Sequence, residues 1–187
     1  VQRTPVTHQA TALMRDLGAG QQSHPGGTLL AHLDRVRARL AGWGARPALQ
    51  LAGLTHAAYG TDGFPAALLS LDRRAELAAV IGPEAEEIVY FYASCDRRAS
   101  YPDFATPGGY FRDRFTGHAL TPPTHLRQDF AELTAANELD LAYRNRDFRT
   151  QWGPELLALF TRFQPLLSEA AWRDCLAVLG SARRQGS

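Results

Sequence analysis

Pro47-Ala48-Leu49-Gln50-Leu51-Ala52-Gly53-Leu54-Thr55-His56-Ala57-Ala58 is the stretch that decides the fold. It is apolar on nearly every side, which is the pattern of a helix surrounded by other elements rather than one lying on a surface. Pro47 suits its first turn, where a missing N–H is not needed. The glycine loop Tyr59-Gly60-Thr61-Asp62-Gly63-Phe64 follows it. Upstream, Leu29, Leu33, Val36 and Leu40 step by four, three and four along one face of a helix beginning near Thr28. Asp34, Arg35, Arg37 and Arg39 occupy the rest of that helix, and Gly42 and Gly44 end it around Trp43. A shorter helix is expected over Thr11 to Leu17, stopped by Gly18.

Downstream the spacing predicts helices over Asp72 to Val80, over Pro83 to Ala93 with Glu84, Glu86 and Glu87 in the favourable first turn, and over Thr124 to Tyr143. Leu126, Phe130 and Leu133 form the buried stripe of the last of these. Two more helices are expected, near Pro154 to Phe163 and Ser168 to Leu179. Residues 95–123, rich in Gly, Pro and aromatics, read as the irregular part; Phe111 to Phe115 suits a hairpin arm or a loop folding over a pocket. The expectation is one all-α domain over 1–187, a bundle of about seven helices centred on the Pro47 helix.

Composition excludes some chemistry. The 187 residues include no lysine, so all 20 basic side chains counted as Lys+Arg are arginine. A lysine Schiff base and a lysine-bearing phosphate loop are therefore ruled out. With 19 carboxylates the formal net charge is +1, and no basic stripe forms, so no nucleic-acid partner is expected. No apolar run approaches the roughly 20 residues that cross a bilayer. The first residues lack the pattern of a signal peptide. Cys95 and Cys175 lie in no ligand-spaced cluster. Reduced thiols, a cytoplasmic location and no membrane partner are the expectations.

Three polar residues fall on otherwise apolar faces. His32 lies three residues after Leu29 and four before Val36, where it borders or joins the inward stripe of its helix, His56 ends the buried helix, and Asn137 continues the stripe of Leu126, Phe130 and Leu133. Alone, an inward histidine or asparagine is more often a satisfied core residue than part of a site. Together they point to a pocket between three helices. His56 and His32 are the candidate acid–base groups, with Tyr59 on the following loop. Asn137, Thr61, Asp140, Arg97 and Arg114 are candidate substrate contacts. If a metal is held, His24, His32 and His56 are its candidate ligands; such a set can take zinc, and the resemblance described below adds iron. No cofactor is otherwise expected.

His32 with Val36, and His56 after Ala52-Gly53-Leu54, resemble the H…HD pattern of the HD-domain superfamily. The 24-residue separation of the histidines is similar to that of its guanosine-tetraphosphate hydrolases. Glu76-Leu77 through Ile81-Gly82-Pro83 to Ile88-Val89, and Ala136-Asn137-Glu138-Leu139-Asp140, resemble later segments of the same family. The likeness spans roughly His24 to Tyr143. It implies a helical scaffold and a metal bound by two histidines and two aspartates. Ala57 and Asn137 stand where those aspartates would be. A site stripped of both carboxylates suits manganese or magnesium poorly, so neither ion nor guanosine-tetraphosphate hydrolysis is expected. The reading is a small-molecule enzyme on an HD-like scaffold, catalysing a lyase, isomerase, cyclase or hydrolase step. The alternatives are a metal enzyme with rearranged ligands, either a hydrolase or an iron oxygenase, and a non-catalytic binder. The expected partner is a small-molecule substrate, with a homodimer also admitted.

Overall fold

The structure is a computed structural model and describes residues 5–180. Over these residues the chain forms nine α-helices, two 3-10 turns and two short antiparallel ribbons. In chain order they are α1 (Val6–Asp16), β1 (Ser23–His24), β2 (Gly27–Thr28), α2 (Leu29–Gly42), α3 (Pro47–Thr55), α4 (Arg74–Ile81), α5 (Pro83–Ser94) and α6 (Arg97–Ser100). After these come β3 (Phe111–Arg112), β4 (Ala119–Leu120), α7 (Thr124–Arg144), α8 (Arg146–Phe163) and α9 (Glu169–Leu179). The fold is an all-α bundle. No helix among the described residues is long and apolar enough to cross a membrane.

The Pro47 helix sits inside the bundle. α3 packs against α1, α2, α4, α5 and α7, with Leu54 fully buried and Leu51 packed against the core. It shares the centre with α7, which contacts α2, α3, α5, α8 and α9 and is buried around most of its circumference. The sequence conceals this because α7 is rich in charge. Five of its charged side chains, Arg127, Asp129, Glu132, Glu138 and Asp140, are buried with partners, while Arg144 at its end is exposed. Asp129 Oδ2 accepts from Arg46 at 2.7 Å, Glu132 accepts from the Ser168 N–H at 2.8 Å, and Arg127 donates to the Thr106 carbonyl at 2.8 Å. A paired charge tolerates burial that an orphan could not.

Three other boundaries differ from expectation. α1 begins at Val6 rather than Thr11. α8 begins at Arg146, not at Pro154, because Asn145 supplies the cap: its Oδ1 accepts from the Phe148 N–H at 3.0 Å. Pro154 then lies within the helix, at the cost of one backbone hydrogen bond. The segment 95–123 contains α6 and a hairpin, β3–β4, in which Phe111 pairs with Leu120. Phe111 to Phe115 is thus a hairpin arm rather than a loop over a pocket. Phe104 and Phe111 are fully buried, with Phe111 stacked on Phe91 at 4.1 Å and Phe104 against Phe130 at 4.7 Å between ring centroids. That aromatic burial anchors the segment to the core.

The turn after α3 is fixed by Gly60, whose φ of +68° lies in the left-handed region. A Cβ there would also come within 2.8 Å of the Pro65 carbonyl oxygen, a backbone atom that cannot yield cheaply. Gly60→Ala is therefore expected to destabilise by about 2 kcal/mol, combining left-handed strain with the clash. Urea unfolding of the variant measures it; an unchanged midpoint would mean that the turn relaxes freely.

Candidate functional site

Five helices and a β ribbon converge on one cavity of about 780 Å³. That is within the range of roughly 300–1,000 Å³ occupied by small-molecule sites. α2 contributes Leu29 and His32, the end of α3 and its loop contribute His56, Ala57, Thr61 and Phe64, and α6 contributes Arg97 with Tyr101 just beyond it. α7 presents Asn137, Glu138 and Leu141, and α8 supplies an apolar wall of Phe148, Trp152, Leu156 and Leu159. The β1–β2 ribbon brings Ser23, His24 and Pro25 to the rim.

His32 is the best-organised group. It is buried on α2, whose first turn is capped by Thr28 Oγ1 accepting from the Ala31 N–H. Its Nδ1 lies 2.7 Å from Asp140 Oδ2, and its Nε2 lies 2.9 Å from Asn137 Oδ1. Arg35 holds the other side of the Asp140 carboxylate as a fork, with Nε 2.7 Å from Oδ1 and Nη2 2.9 Å from Oδ2. Burial alone would raise the Asp140 carboxyl. The hydrogen bonds and positive charges of His32 and Arg35 outweigh it and hold the group down at about 2. A fixed carboxylate of this kind selects the tautomer with its proton on Nδ1 and aims Nε2 at the cavity. The Asn137 amide serves both states of Nε2. Its carbonyl accepts from Nε2–H, and a half-turn presents an N–H to the bare nitrogen.

His56 is fixed differently. Its Nδ1–H donates to the Gly53 carbonyl at 2.8 Å, leaving Nε2 as an acceptor. Burial, reinforced by the charge of His32, pushes its pKa down from 6.5 to about 3. A neutral buried imidazole contributes stability that is complete above about pH 6.5 and drains away as pH falls towards 3, because the unfolded chain takes up the proton first. Between about pH 7 and about pH 5 this one group is expected to remove about 2 kcal/mol from the unfolding free energy. His56→Gln should flatten that part of the profile. Denaturant unfolding across the range checks it, and an unaltered slope in the variant would contradict the assignment.

His32, His56 and Asn137 are thus brought together, with the two imidazole rings 5.5 Å apart and nearly perpendicular. Thr61 and Arg97 also line the cavity. Three other candidates do not touch it. Tyr59 is buried on the far side of the turn, where its hydroxyl donates to Glu86 Oε1 at 2.8 Å beside Arg74. Arg114 donates from Nε to the Ala93 carbonyl at 2.7 Å and stacks on Phe115, bracing the hairpin. Asp140 sits behind His32 and acts through it. In each case the local spacing was compatible with a cavity, but a buried partner claims the side chain first.

His24 stacks face to face on His32, with ring centroids 4.1 Å apart. The three histidines are therefore neighbours, but stacked rings present π faces to each other rather than converging lone pairs. No three His, Cys, Asp or Glu side chains among the described residues gather as a metal site. The two-histidine, two-aspartate centre does not fit these residues either, since Ala57 offers no donor and Asn137 a neutral amide already bonded to His32.

Sequence reasoning missed Arg35, Tyr101, Glu138 and the α8 wall. Phe148, Trp152, Leu156 and Leu159 do carry a helical spacing, and the signal is hidden when α8 is started at Pro154.

An all-α bundle with a histidine–aspartate pair at the floor of a small-molecule-sized cavity is the class that fold and site define. A family described as Domain of unknown function (DUF6817) matches residues 13–97. The match takes in His24, His32 and His56 and stops before α7, which carries Asn137 and Asp140. No curated protein and no solved structure matches the chain.

Proposed function

We propose that the protein is a small-molecule enzyme on an HD-like scaffold, with His32 as its general acid–base group. The observation that carries this reading is the Arg35–Asp140–His32 chain, in which a buried carboxylate orients an imidazole whose other nitrogen, beside the Asn137 amide, is on the cavity side. Proton transfer then runs between a substrate group and His32 Nε2. The imidazolium formed is stabilised by Asp140, and Arg35 keeps that carboxylate ionised and in place. His56, neutral and with its tautomer set by Gly53, accepts a hydrogen bond from the substrate. This reverses the order of importance of the two histidines, since a base held down near 3 takes a proton weakly. The HD likeness is supported by the meeting of His32, His56 and Asn137. The losses at Ala57 and Asn137 argue that the step uses side chains in place of the family's metal. The reaction remains within the lyase, isomerase, cyclase and hydrolase group, all of which need a proton moved at a fixed point.

Asn137→Leu tests the site. The side chain bonds His32 Nε2 and is weakly tied to Glu138 at 3.3 Å, so leucine fills cavity space without orphaning a backbone group. Stability is expected to change by less than about 1 kcal/mol. Ligands found by thermal shift against a collection of metabolites should stabilise the native chain and not the variant. Ligands that stabilise both equally would place binding outside this cavity.

A further inference from the structure

The buried charges at and behind the cavity floor are paired with opposite charges. Arg97 Nη1 lies 3.3 Å from Glu138 Oε1, and Asp140 behind the floor is claimed by Arg35 and His32. At the mouth, exposed Glu155 and Arg162 are of opposite sign. A charged ligand would enter this space without an uncompensated counter-charge to replace its hydration. His24 and His56 are both held neutral by burial, their pKa values lowered to about 4 and about 3.

Two polar atoms in the lining residues are buried without a protein partner, the Tyr101 hydroxyl and His24 Nδ1. The Tyr101 ring is held between Phe130 and Phe163, with centroids 6.2 and 5.5 Å away, so its hydroxyl cannot swing off to find an acceptor. Burial raises its pKa well above 10, which keeps it a phenol and therefore a donor. A buried donor with no acceptor costs free energy that an acceptor on a ligand recovers.

We propose that the cavity takes an uncharged, mainly apolar molecule bearing a carbonyl oxygen, and that the Tyr101 hydroxyl donates its hydrogen bond to that oxygen. The apolar body lies against Phe64, Phe148 and Trp152, while the carbonyl reaches the polar floor. This rests on the reading of the cavity as a small-molecule site and specifies what enters it.

The test is calorimetric titration of the full chain with four probes sharing one naphthalene body: a methyl ketone, a carboxylate, an aminomethyl cation and an ethyl hydrocarbon. The ketone should bind at least roughly tenfold more tightly than either ion, because desolvating an ion here is not repaid. Tyr101→Phe should weaken the ketone roughly fivefold to tenfold and leave the hydrocarbon unchanged, the size of one missing hydrogen bond. The variant keeps the ring packing, and its melting temperature should hold or rise. Equal or tighter binding of an ion, no binding of the ketone, or a Tyr101→Phe variant that binds it unchanged would overturn the proposal. Because the readout is binding, it is separable from the acid–base reading. His32→Gln that leaves turnover intact sinks the latter alone.

Discussion

Asp140→Ala is expected to lower the unfolding free energy by about 3 kcal/mol, a large part of what an ordinary domain has to spare. The Asp140 side chain is only 3% exposed and His32 1%, so removing the carboxylate strands an imidazole N–H with no water to replace it. Arg35, at 21% exposure, reaches solvent more easily, which keeps the loss towards the lower end of the effect seen when a buried pair is broken. The pH dependence carries an independent signature. A carboxyl held at about 2 against an ordinary 3.8 contributes stability that is complete above about pH 4 and is lost as pH falls through 2. Asp140→Asn keeps the shape, so its loss at neutral pH should be smaller, and it should remove that acid-range dependence. Chemical denaturation of both variants at neutral and acid pH measures these effects. A fully stable Asp140→Ala would mean that the Arg35–Asp140–His32 chain is ornamental to the fold.

On the proposed acid–base reading, His32→Gln is expected to reduce kcat by about 100- to 10,000-fold, the usual worth of a positioned general acid–base group. Glutamine can still reach Asn137 and fills similar space, but it does not exchange a proton near neutral pH. Substrate affinity should move by only a few-fold, because the interaction removed is one made to the proton in flight. Single-turnover kinetics set against calorimetric binding separates the two. A variant that fails to bind but turns over bound substrate normally would make His32 a binding group only.

Much of the fold was legible in periodicity, and the parts that were not share one physical cause. The stripe Leu29, Leu33, Val36, Leu40 and the uniformly apolar Pro47 helix report burial directly, and both lie where their patterns place them. α7 does not report its burial, because Arg127, Asp129, Glu132 and Asp140 look like a solvated face until their partners from distant segments are known. The same limit applies to the site. His32, His56 and Asn137 could be found as polar interruptions of apolar stripes. Whether a polar residue faces a cavity or an internal partner depends on what packs opposite. Hence Tyr59 went to Glu86 and Arg114 to a backbone carbonyl, while Tyr101, in the least periodic segment, came to the cavity unannounced.

The central claim is that Asp140 holds His32 with its proton on Nδ1 and its working nitrogen, Nε2, towards the cavity. Long-range proton–nitrogen correlation spectra of histidine-labelled protein read this directly, with the His32 signals assigned by their absence in His32→Gln. The account predicts a protonated, strongly hydrogen-bonded Nδ1 on His32 throughout the pH range of the folded protein, with the downfield proton lost in Asp140→Ala. A His32 Nδ1 without its proton, the ring carrying hydrogen on Nε2 alone, would contradict it.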